Sequence, residues 1–327
     1  MLTSTQPGTA KYWVAWGLEI CAYTSVDIFG LLSGYLGYGK KRFNSYRCFE
    51  LLSTTILYSI LATILFGAYM PQVLDSQKNL IKSLFPCLAG RYWYITCYIP
   101  VAILAPLMNK FLFALTAKQH KLMCKILIIL FSVVPSIVPV DFFRFKDGYS
   151  FAWLEILYLI GGYLRRNNCK LNHKEYISFF LGAVGMIFAI KMGAFYFIEK
   201  ETTYMISYVS ILILIMSISC LRTFAALDTK KISAVKKKFL TQLSEVAFDV
   251  YIIHSHILVY DYLIYDNFKW ISNYNVVLMS MLIILSCGGM YIIAGIMGSV
   301  RIKIYKCANM KKCWNQVTKD YFSYQIK

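Results

Sequence analysis

The stretch from Val276 to Val300 reads VVLMSMLIILSCGGMYIIAGIMGSV and carries no Asp, Glu, Lys or Arg. An α-helix needs about 20 mainly apolar residues to cross a bilayer, so this run is long enough for one transmembrane helix. The whole chain has the same character, because 58% of its 327 residues are hydrophobic and only 15% are charged. Soluble domains contain about 25% charged residues. The composition therefore excludes a soluble globule, a disordered chain and a disulfide scaffold, and it predicts a polytopic membrane protein.

Eight further segments have the apolar character of membrane spans. In chain order, the nine predicted spans are Tyr12–Leu36, Phe49–Tyr69, Tyr92–Met108, Leu122–Val140, Tyr149–Leu164, Tyr176–Ile198, Thr203–Leu221, Val246–Ile264 and Val276–Val300. The fifth is short for a full crossing, and none shows the alternation of a transmembrane β-strand. We predict an all-α polytopic membrane protein with about nine transmembrane helices in one bundle. Residues 1–300 form its membrane domain and residues 301–327 a basic cytoplasmic tail.

The net charge of +18 is distributed unevenly along the chain. Of the 34 Lys and Arg residues, 25 fall on alternate loops and the C-terminal tail, 8 on the opposite side, and Lys191 lies within the sixth span. Cytoplasmic loops of membrane proteins are enriched in Lys and Arg. The distribution predicts a plasma-membrane protein with a cytoplasmic C-terminus and an external Met1. It favours this interpretation of the charge over nucleic-acid binding.

The ten cysteines predict neither a disulfide framework nor a metal site. Half of them lie in predicted spans, where cysteine behaves as a small apolar residue. Their spacing and the surrounding histidines do not match known zinc patterns, so no metal is predicted.

Ionisable side chains inside predicted spans are candidates for function, because placing them in lipid costs free energy. Asp27 lies in the inner half of the first span and shares a helix face with Gly34, seven residues later. Gly30 and Gly34 have the spacing of small residues that let another helix approach closely. Asp27 is therefore expected to face the packed interior, either as an interhelical hydrogen-bond acceptor or as part of a site.

The eighth span carries Tyr251, His254 and Asp261 at spacings that predict one stripe along the helix. His256 lies on a different face from His254, so only one of these two histidines is expected to face a given cavity. A neutral imidazole near mid-membrane is a structural donor, a proton relay or a catalytic base.

Two segments at the ends of spans are candidates for substrate binding. Lys41, Arg42 and Arg47 belong to a basic cluster after the first span. This cluster is either ordinary cytoplasmic charge or a site for the phosphates of a donor such as acyl-coenzyme A. On the opposite side, Trp93 and Tyr94 open the third span, where aromatic residues either mark the membrane interface or stack on a sugar.

Three segments are distinctive: Val26–Leu36 (VDIFGLLSGYL), Arg91–Tyr94 followed by Pro106, and Phe248–His254 (FDVYIIH). They resemble, in this order, the second-helix signature, the tryptophan-aromatic segment and the tyrosine-histidine segment of the membrane acyltransferase 3 family. Their order and separations also agree, so the resemblance covers essentially the whole chain.

The resemblance implies a membrane enzyme of about ten helices that transfers an acyl group, usually acetyl, from cytoplasmic acyl-CoA to a hydroxyl of a surface or lipid-linked carbohydrate. The implied partners are the bilayer, acyl-CoA and a glycan, without nucleic acid or a bound cofactor. The site residues expected on this basis are His254, Tyr251 and Asp27 for catalysis, Arg42, Arg47 and Lys41 for the donor, and Ser33, Trp93, Tyr94 and Glu155 for the acceptor or for structure.

One feature departs from the family pattern. The first helix of the family carries an arginine and, further along, a histidine regarded as the catalytic base. Residues 1–16 of this chain instead resemble the stretch that leads into the second helix. The expectation is a misplaced start at Met1 or a true truncation, since one additional span would place both termini inside.

Two other functions remain open on the sequence alone. Intramembrane Asp and His residues also relay protons in transporters and flippases, although the repeated halves typical of many transporters are absent from this sequence. A non-catalytic membrane scaffold or sensor is the third possibility.

Overall fold

The computed structural model describes residues 4–73, 77–138, 140–167, 172–228 and 232–318. These residues form helices and loops, without a β-strand. The α-helices in chain order are α1 (Ala10–Gly37), α2 (Ser45–Tyr69), α3 (Gln77–Leu84), α4 (Trp93–Ala114), α5 (Ala117–Ile128), α6 (Val134–Ile137), α7 (Phe151–Arg166), α8 (His173–Phe197), α9 (Ile211–Ala225), α10 (Ala234–His254), α11 (Ile257–Val259), α12 (Val276–Cys307) and α13 (Met310–Thr318). Many helices begin after a polar capping residue, such as Asn44, Asn172 and Asn275, whose side chain accepts a hydrogen bond from the first turn.

Within the described part of the chain, six helical segments are long and apolar enough to cross a membrane. They are Ala10–Gly37, Ser45–Tyr69, Trp93–Ala114, Ala117–Ile137, His173–Phe197 and Val276–Cys307. These segments correspond to the first four, the sixth and the ninth predicted spans. The predicted all-α polytopic membrane fold is confirmed.

The remaining predicted spans take other forms. The fifth corresponds to α7, which has only 16 residues. The seventh corresponds to α9, which begins at Ile211 rather than Thr203 because the preceding residues form turns. The predicted tail boundary at residue 300 falls inside α12, which continues to Cys307.

The eighth predicted span is interrupted. Helix α10 ends at His254, and α11 begins at Ile257. The residue before α11 is His256, whose side chain caps the helix by accepting a hydrogen bond from the backbone N–H of Leu258. This side-chain cap replaces the helical hydrogen bond at the break. Asp261 falls beyond it, in a π-helical turn at Tyr260–Ile264. The predicted stripe of Tyr251, His254 and Asp261 is therefore wrong, because it requires one continuous helix.

The chain divides into two compact units. The described residues of the first are 4–11, 44–73, 77–96, 228 and 232–318, and those of the second are 12–43, 97–138, 140–167 and 172–227. In the first unit, α10 packs on α12 and α2, and α13 packs on α12 and α2. In the second unit, α8 packs on α9, and α5 packs on α7.

The glycines of α1 form a close contact with α7, as their spacing predicts. A Cβ atom built on Gly34 would lie 1.9 Å from the carbonyl oxygen of Tyr158, and one built on Gly161 would lie 2.0 Å from the carbonyl oxygen of Leu31. Since both obstacles are backbone atoms, no side-chain rotation can relieve these clashes. The α1–α7 contact therefore depends on glycine at both positions.

Changing Gly34 to alanine is expected to separate α1 from α7 and to destabilise the protein by at least about 1–3 kcal/mol, the usual cost of overpacking. The melting temperature of the detergent-solubilised protein measures this effect. Gly182→Ala in α8 is the matched control, because a Cβ atom there meets nothing within 4 Å. Equal melting temperatures for Gly34→Ala and Gly182→Ala would contradict the close contact.

Candidate active site

His254, the last residue of α10, has a fixed ring orientation. Its Nδ1 lies 2.8 Å from the carbonyl oxygen of Val250. A carbonyl oxygen only accepts hydrogen bonds, so Nδ1 carries the hydrogen in the neutral ring. Nε2 is then the basic nitrogen, and it lies 3.5 Å from Oγ of Ser255, at the limit of a hydrogen bond. His254 thus presents a proton-accepting nitrogen at the end of α10.

Aromatic rings connect His254 to the start of α4. The ring centroids of Tyr251 and His254 are 6.0 Å apart, those of Tyr94 and Tyr251 are 5.8 Å apart, and those of Trp93 and Tyr94 are 5.7 Å apart. All three pairs meet edge to face, a favourable geometry for aromatic rings. The structure therefore brings together two of the predicted catalytic residues and two of the predicted acceptor residues.

A polar cavity of about 470 Å³ adjoins this group. It is lined by Thr63, Lys82, Ala89, Gly90, Arg91, Ser255, Ile257, Leu258, Tyr260, Asp261 and Tyr262. Ser255, which contacts Nε2 of His254, is one of the lining residues. Asp261, displaced from the predicted stripe, reaches the same cavity through the π-helical turn. The volume lies in the usual range for small-molecule sites, about 300–1,000 Å³.

His256 has the opposite tautomer to His254. Its Nδ1 accepts a hydrogen bond from the backbone N–H of Leu258, so the hydrogen of the neutral ring is on Nε2. The side chain is 2% exposed, and Nε2 has no hydrogen-bond partner among the described residues. Its ring lies 6.2 Å from that of Tyr92, whose hydroxyl is likewise buried without a partner there. Nε2 is therefore a hydrogen-bond acceptor in His254 and a hydrogen-bond donor in His256.

Behind this site, a buried ion pair joins α10 to α12. Arg301 donates from Nε to Oδ1 of Asp249 at 2.9 Å and from Nη2 to Oδ2 at 2.6 Å. Its Nη1 contacts Oε1 of Glu50 at 3.1 Å, and the hydroxyl of Tyr58 donates to Oδ1 of Asp249 at 2.9 Å. Gly298 permits the approach, since a Cβ atom there would lie 2.8 Å from Cβ of Asp249. The network fixes α10, the helix that ends in His254.

Sequence reasoning missed the partner in this network. Asp249 was a visible signal, because a carboxylate inside a span needs a counter-charge. Arg301 directly follows the uncharged run that ends at Val300, and it was assigned to the tail. The structure instead buries it within α12, at 5% exposure.

The other predicted site residues in α1 and α7 belong to the second unit. Asp27 is fully buried, and its Oδ1 accepts a hydrogen bond from Nε1 of Trp153 at 3.0 Å. Its Oδ2 has no hydrogen-bond partner among the described residues. Ser33 donates to the carbonyl oxygen of Phe29 within its own helix, and Glu155 is partly exposed on α7. The interhelical hydrogen bond foreseen for Asp27 is present, while a catalytic role stays a prediction.

The predicted donor residues lie at the surface. Lys41, Arg42 and Arg47 are exposed between α1 and the first turn of α2. A second cavity, of about 880 Å³, is lined by Tyr46, the residue that precedes Arg47. Its lining residues are Tyr46, Glu50, Ile302, Tyr305, Lys306, Asn309, Lys311, Lys312, Asn315 and Gln316. Three lysines and two tyrosines make this cavity suited to an anionic ligand with a planar group.

Helix α13 closes one side of this second cavity. The ring of Trp314 stacks on Phe49 with centroids 4.2 Å apart, and Nε1 of Trp314 donates to Oγ of Ser45 at 3.2 Å. The lysines of the C-terminal segment were read from the sequence as tail charge. These lysines lie beside α2 because α13 packs on it through Trp314. A short polar helix has no sequence pattern that predicts this packing.

Comparison with known proteins agrees with the geometry. The family model described as an acyltransferase domain matches residues 2–297. Comparisons with curated proteins and with solved structures give no match. The family match includes both histidines, Asp249 and all the lining residues of the 470 Å³ cavity, and it ends before Arg301 and most of the lining of the second cavity. The chain therefore belongs to the membrane acyltransferase 3 family, as the three sequence segments indicated.

Proposed function

We propose that this protein transfers an acyl group, acetyl in the first instance, from cytoplasmic acyl-CoA to a hydroxyl of an exported or surface carbohydrate. Family membership supports acyl transfer as the reaction class. The observation that carries the proposal is the orientation of His254, whose basic Nε2 lies beside Ser255 at the edge of the 470 Å³ cavity. Acyl transfer to a hydroxyl needs such a base.

In the proposed reaction, Nε2 of His254 removes the proton of the acceptor hydroxyl. The acceptor oxygen then forms a bond to the thioester carbonyl carbon, and the carbon–sulfur bond breaks. The departing thiolate takes the proton back from the imidazolium, which returns His254 to its neutral form. Hydrogen-bond donors near the carbonyl oxygen would stabilise the charge that develops on it.

Two features support an anionic donor on the cytoplasmic side. The basic cluster that contains Arg42 and Arg47 is exposed to solvent, and Lys306, Lys311 and Lys312 line the 880 Å³ cavity beside α2. Phosphate groups bind readily to such cations. The placement also follows from the proposed orientation, in which the C-terminus is cytoplasmic and the protein lies in the plasma membrane.

Deleting the gene is expected to remove O-acetyl groups from a surface glycan while the glycan itself remains. Proton NMR of the purified polysaccharide from parent, deletion and complemented strains measures both quantities. Unchanged acetyl content in the deletion strain would refute the proposed reaction. Loss of the whole glycan from the surface, with acetylated precursor left inside, would instead identify a flippase.

A further inference from the structure

The cavity beside Ser255 carries an excess of positive charge. Arg91 and Lys82 both line it, and Asp261 is the one acidic residue among the lining residues. Asp261 is exposed and makes no ion pair within the described part of the chain. The cavity therefore offers two cations against one carboxylate.

One nitrogen of the partly buried Arg91 guanidinium lacks the partner that a buried donor normally has. Its Nη1 is buried and has no hydrogen-bond partner among residues 4–73, 77–138, 140–167, 172–228 and 232–318. A buried donor without a partner costs roughly 1–3 kcal/mol, and more when it is charged. Burial also lowers the pKa of Arg91 from its ordinary value, as expected for a guanidinium without a nearby carboxylate. Arg91 is therefore placed to gain from an anion in the cavity.

Two more buried donors accompany Arg91. The Nε2–H of His256 and the hydroxyl of Tyr92 have no hydrogen-bond partner in the described chain, and these side chains are 2% and 1% exposed. Tyr92 directly follows Arg91, and His256 stands between two residues that line the cavity, Ser255 and Ile257. Native proteins leave few buried donors unpaired, and three in one neighbourhood point to a ligand with several acceptor oxygens.

The cavity also extends along α2, back from the end of that helix. Thr63 lies six residues before the end of α2 at Tyr69, which corresponds to about 9 Å along the helix axis. A carbohydrate ring that enters between Lys82 and Arg91 can thus bring its hydroxyls to Ser255, next to His254.

We propose that this cavity binds an acidic acceptor, a sugar whose carboxylate or phosphate is held by Arg91 with Lys82 at the entrance. This inference rests on the proposed function, because it specifies the acceptor of that reaction. His256 and Tyr92 supply further hydrogen-bond donors near the anion. Recognition of the charge fixes the ring, so that a neighbouring hydroxyl lies beside His254.

The test compares three acceptors that differ in one group. They are an oligosaccharide containing glucuronic acid, its carboxyl-reduced neutral form, and the neutral form phosphorylated at the same carbon. Binding of each to purified protein in lipid nanodiscs is measured by equilibrium dialysis, and acetyl transfer from labelled acetyl-CoA is measured separately.

Wild-type protein is expected to bind at least one acidic acceptor about tenfold or more tightly than the neutral one, as one charge-assisted hydrogen bond allows. The carboxylate and phosphate arms show which anion is preferred.

Arg91→Gln is expected to remove this preference, and Lys82→Gln to reduce it. Lys82 is exposed, so its replacement leaves folding intact and keeps the test valid if Arg91→Gln folds poorly. Lys269→Gln is the matched control, since Lys269 is an exposed lysine paired with Asp266 outside the cavity. It is expected to bind all three acceptors like the wild type.

Equal binding of the three acceptors by the wild type would overturn the proposal. So would an equal loss of binding affinity for acidic and neutral acceptors in both Arg91→Gln and Lys82→Gln. Transfer to the neutral acceptor without discrimination would refute the acidic acceptor and leave the proposed function standing. Selective binding of an acidic acceptor without any acetyl transfer would support the anion site and refute the proposed function.

Discussion

Replacing Arg301 with methionine is expected to destabilise the protein by about 3–5 kcal/mol, the usual cost of leaving a buried charge without its partner. Asp249 is fully buried and receives two hydrogen bonds from Arg301, at 2.9 and 2.6 Å. Without the guanidinium, the carboxylate keeps, among the described residues, only the hydrogen bond from the hydroxyl of Tyr58. Thermal unfolding of the detergent-solubilised protein, followed by size-exclusion chromatography, measures the loss.

Two variants separate an unpaired charge from a general packing effect. Asp249→Asn combined with Arg301→Met removes both charges and is expected to recover most of the lost stability, because neither side then carries a buried ion. Glu50→Gln removes only the partly exposed partner of Arg301 and is expected to cost less than about 1 kcal/mol. The interpretation fails if the double variant is no more stable than Arg301→Met alone.

The Asp249–Arg301 pair shows where sequence reasoning stops. Transfer free energies identify an intramembrane carboxylate as costly and predict that it has a partner. They do not say which of 34 Lys and Arg residues that partner is. The answer depends on the register of α10 against α12, which Gly298 sets by letting the two helices meet closely at Asp249. A single sequence contains no direct record of that register.

The interrupted eighth span has a different cause. The run from Val246 to Ile264 is mainly apolar on both sides of the break, so its hydropathy is the same whether the helix continues or breaks. The break is local, because Ser255 ends α10 and the imidazole of His256 starts α11. It carries Asp261 into the cavity wall. The expectation that the two histidines lie on different faces of one helix does not apply, because α10 ends before His256. Nothing in the sequence indicates that His256 is a cap.

A close helix contact at the glycines of α1 was predictable, because it depends on the residues themselves. Small residues four apart permit a close helix crossing, and Gly30 and Gly34 indeed meet Leu157 and Tyr158. The placement of Asp27 on the same face was also sound. Its partner, Trp153, comes from the short α7, and an indole donor is not a residue that charge or hydropathy points to.

The two histidines are expected to differ in what their loss does. Because His256 supplies a donor to the proposed anion site, His256→Ala should weaken binding of the acidic acceptor more than that of the neutral one. His254 is the proposed base for every acceptor, so its loss should reduce turnover on all of them without changing their relative binding. Comparing the effects on kcat with those on KM tests this division of roles.

His254→Ala is expected to reduce acyl transfer by about 10²–10⁴-fold, the usual contribution of a positioned general base. The reason is geometric, since the hydrogen bond from Nδ1 to Val250 leaves Nε2 as the basic atom, 3.5 Å from Oγ of Ser255, which lines the 470 Å³ cavity. Vesicles supplied with labelled acetyl-CoA and a carbohydrate acceptor measure the rate, and immunoblotting confirms equal protein in the membrane. His173→Ala is the matched control, because His173 begins α8 in the second unit, whereas His254 and the 470 Å³ cavity belong to the first. Acetylation at the wild-type rate in His254→Ala would remove His254 from the site, and the base would then have to be sought elsewhere.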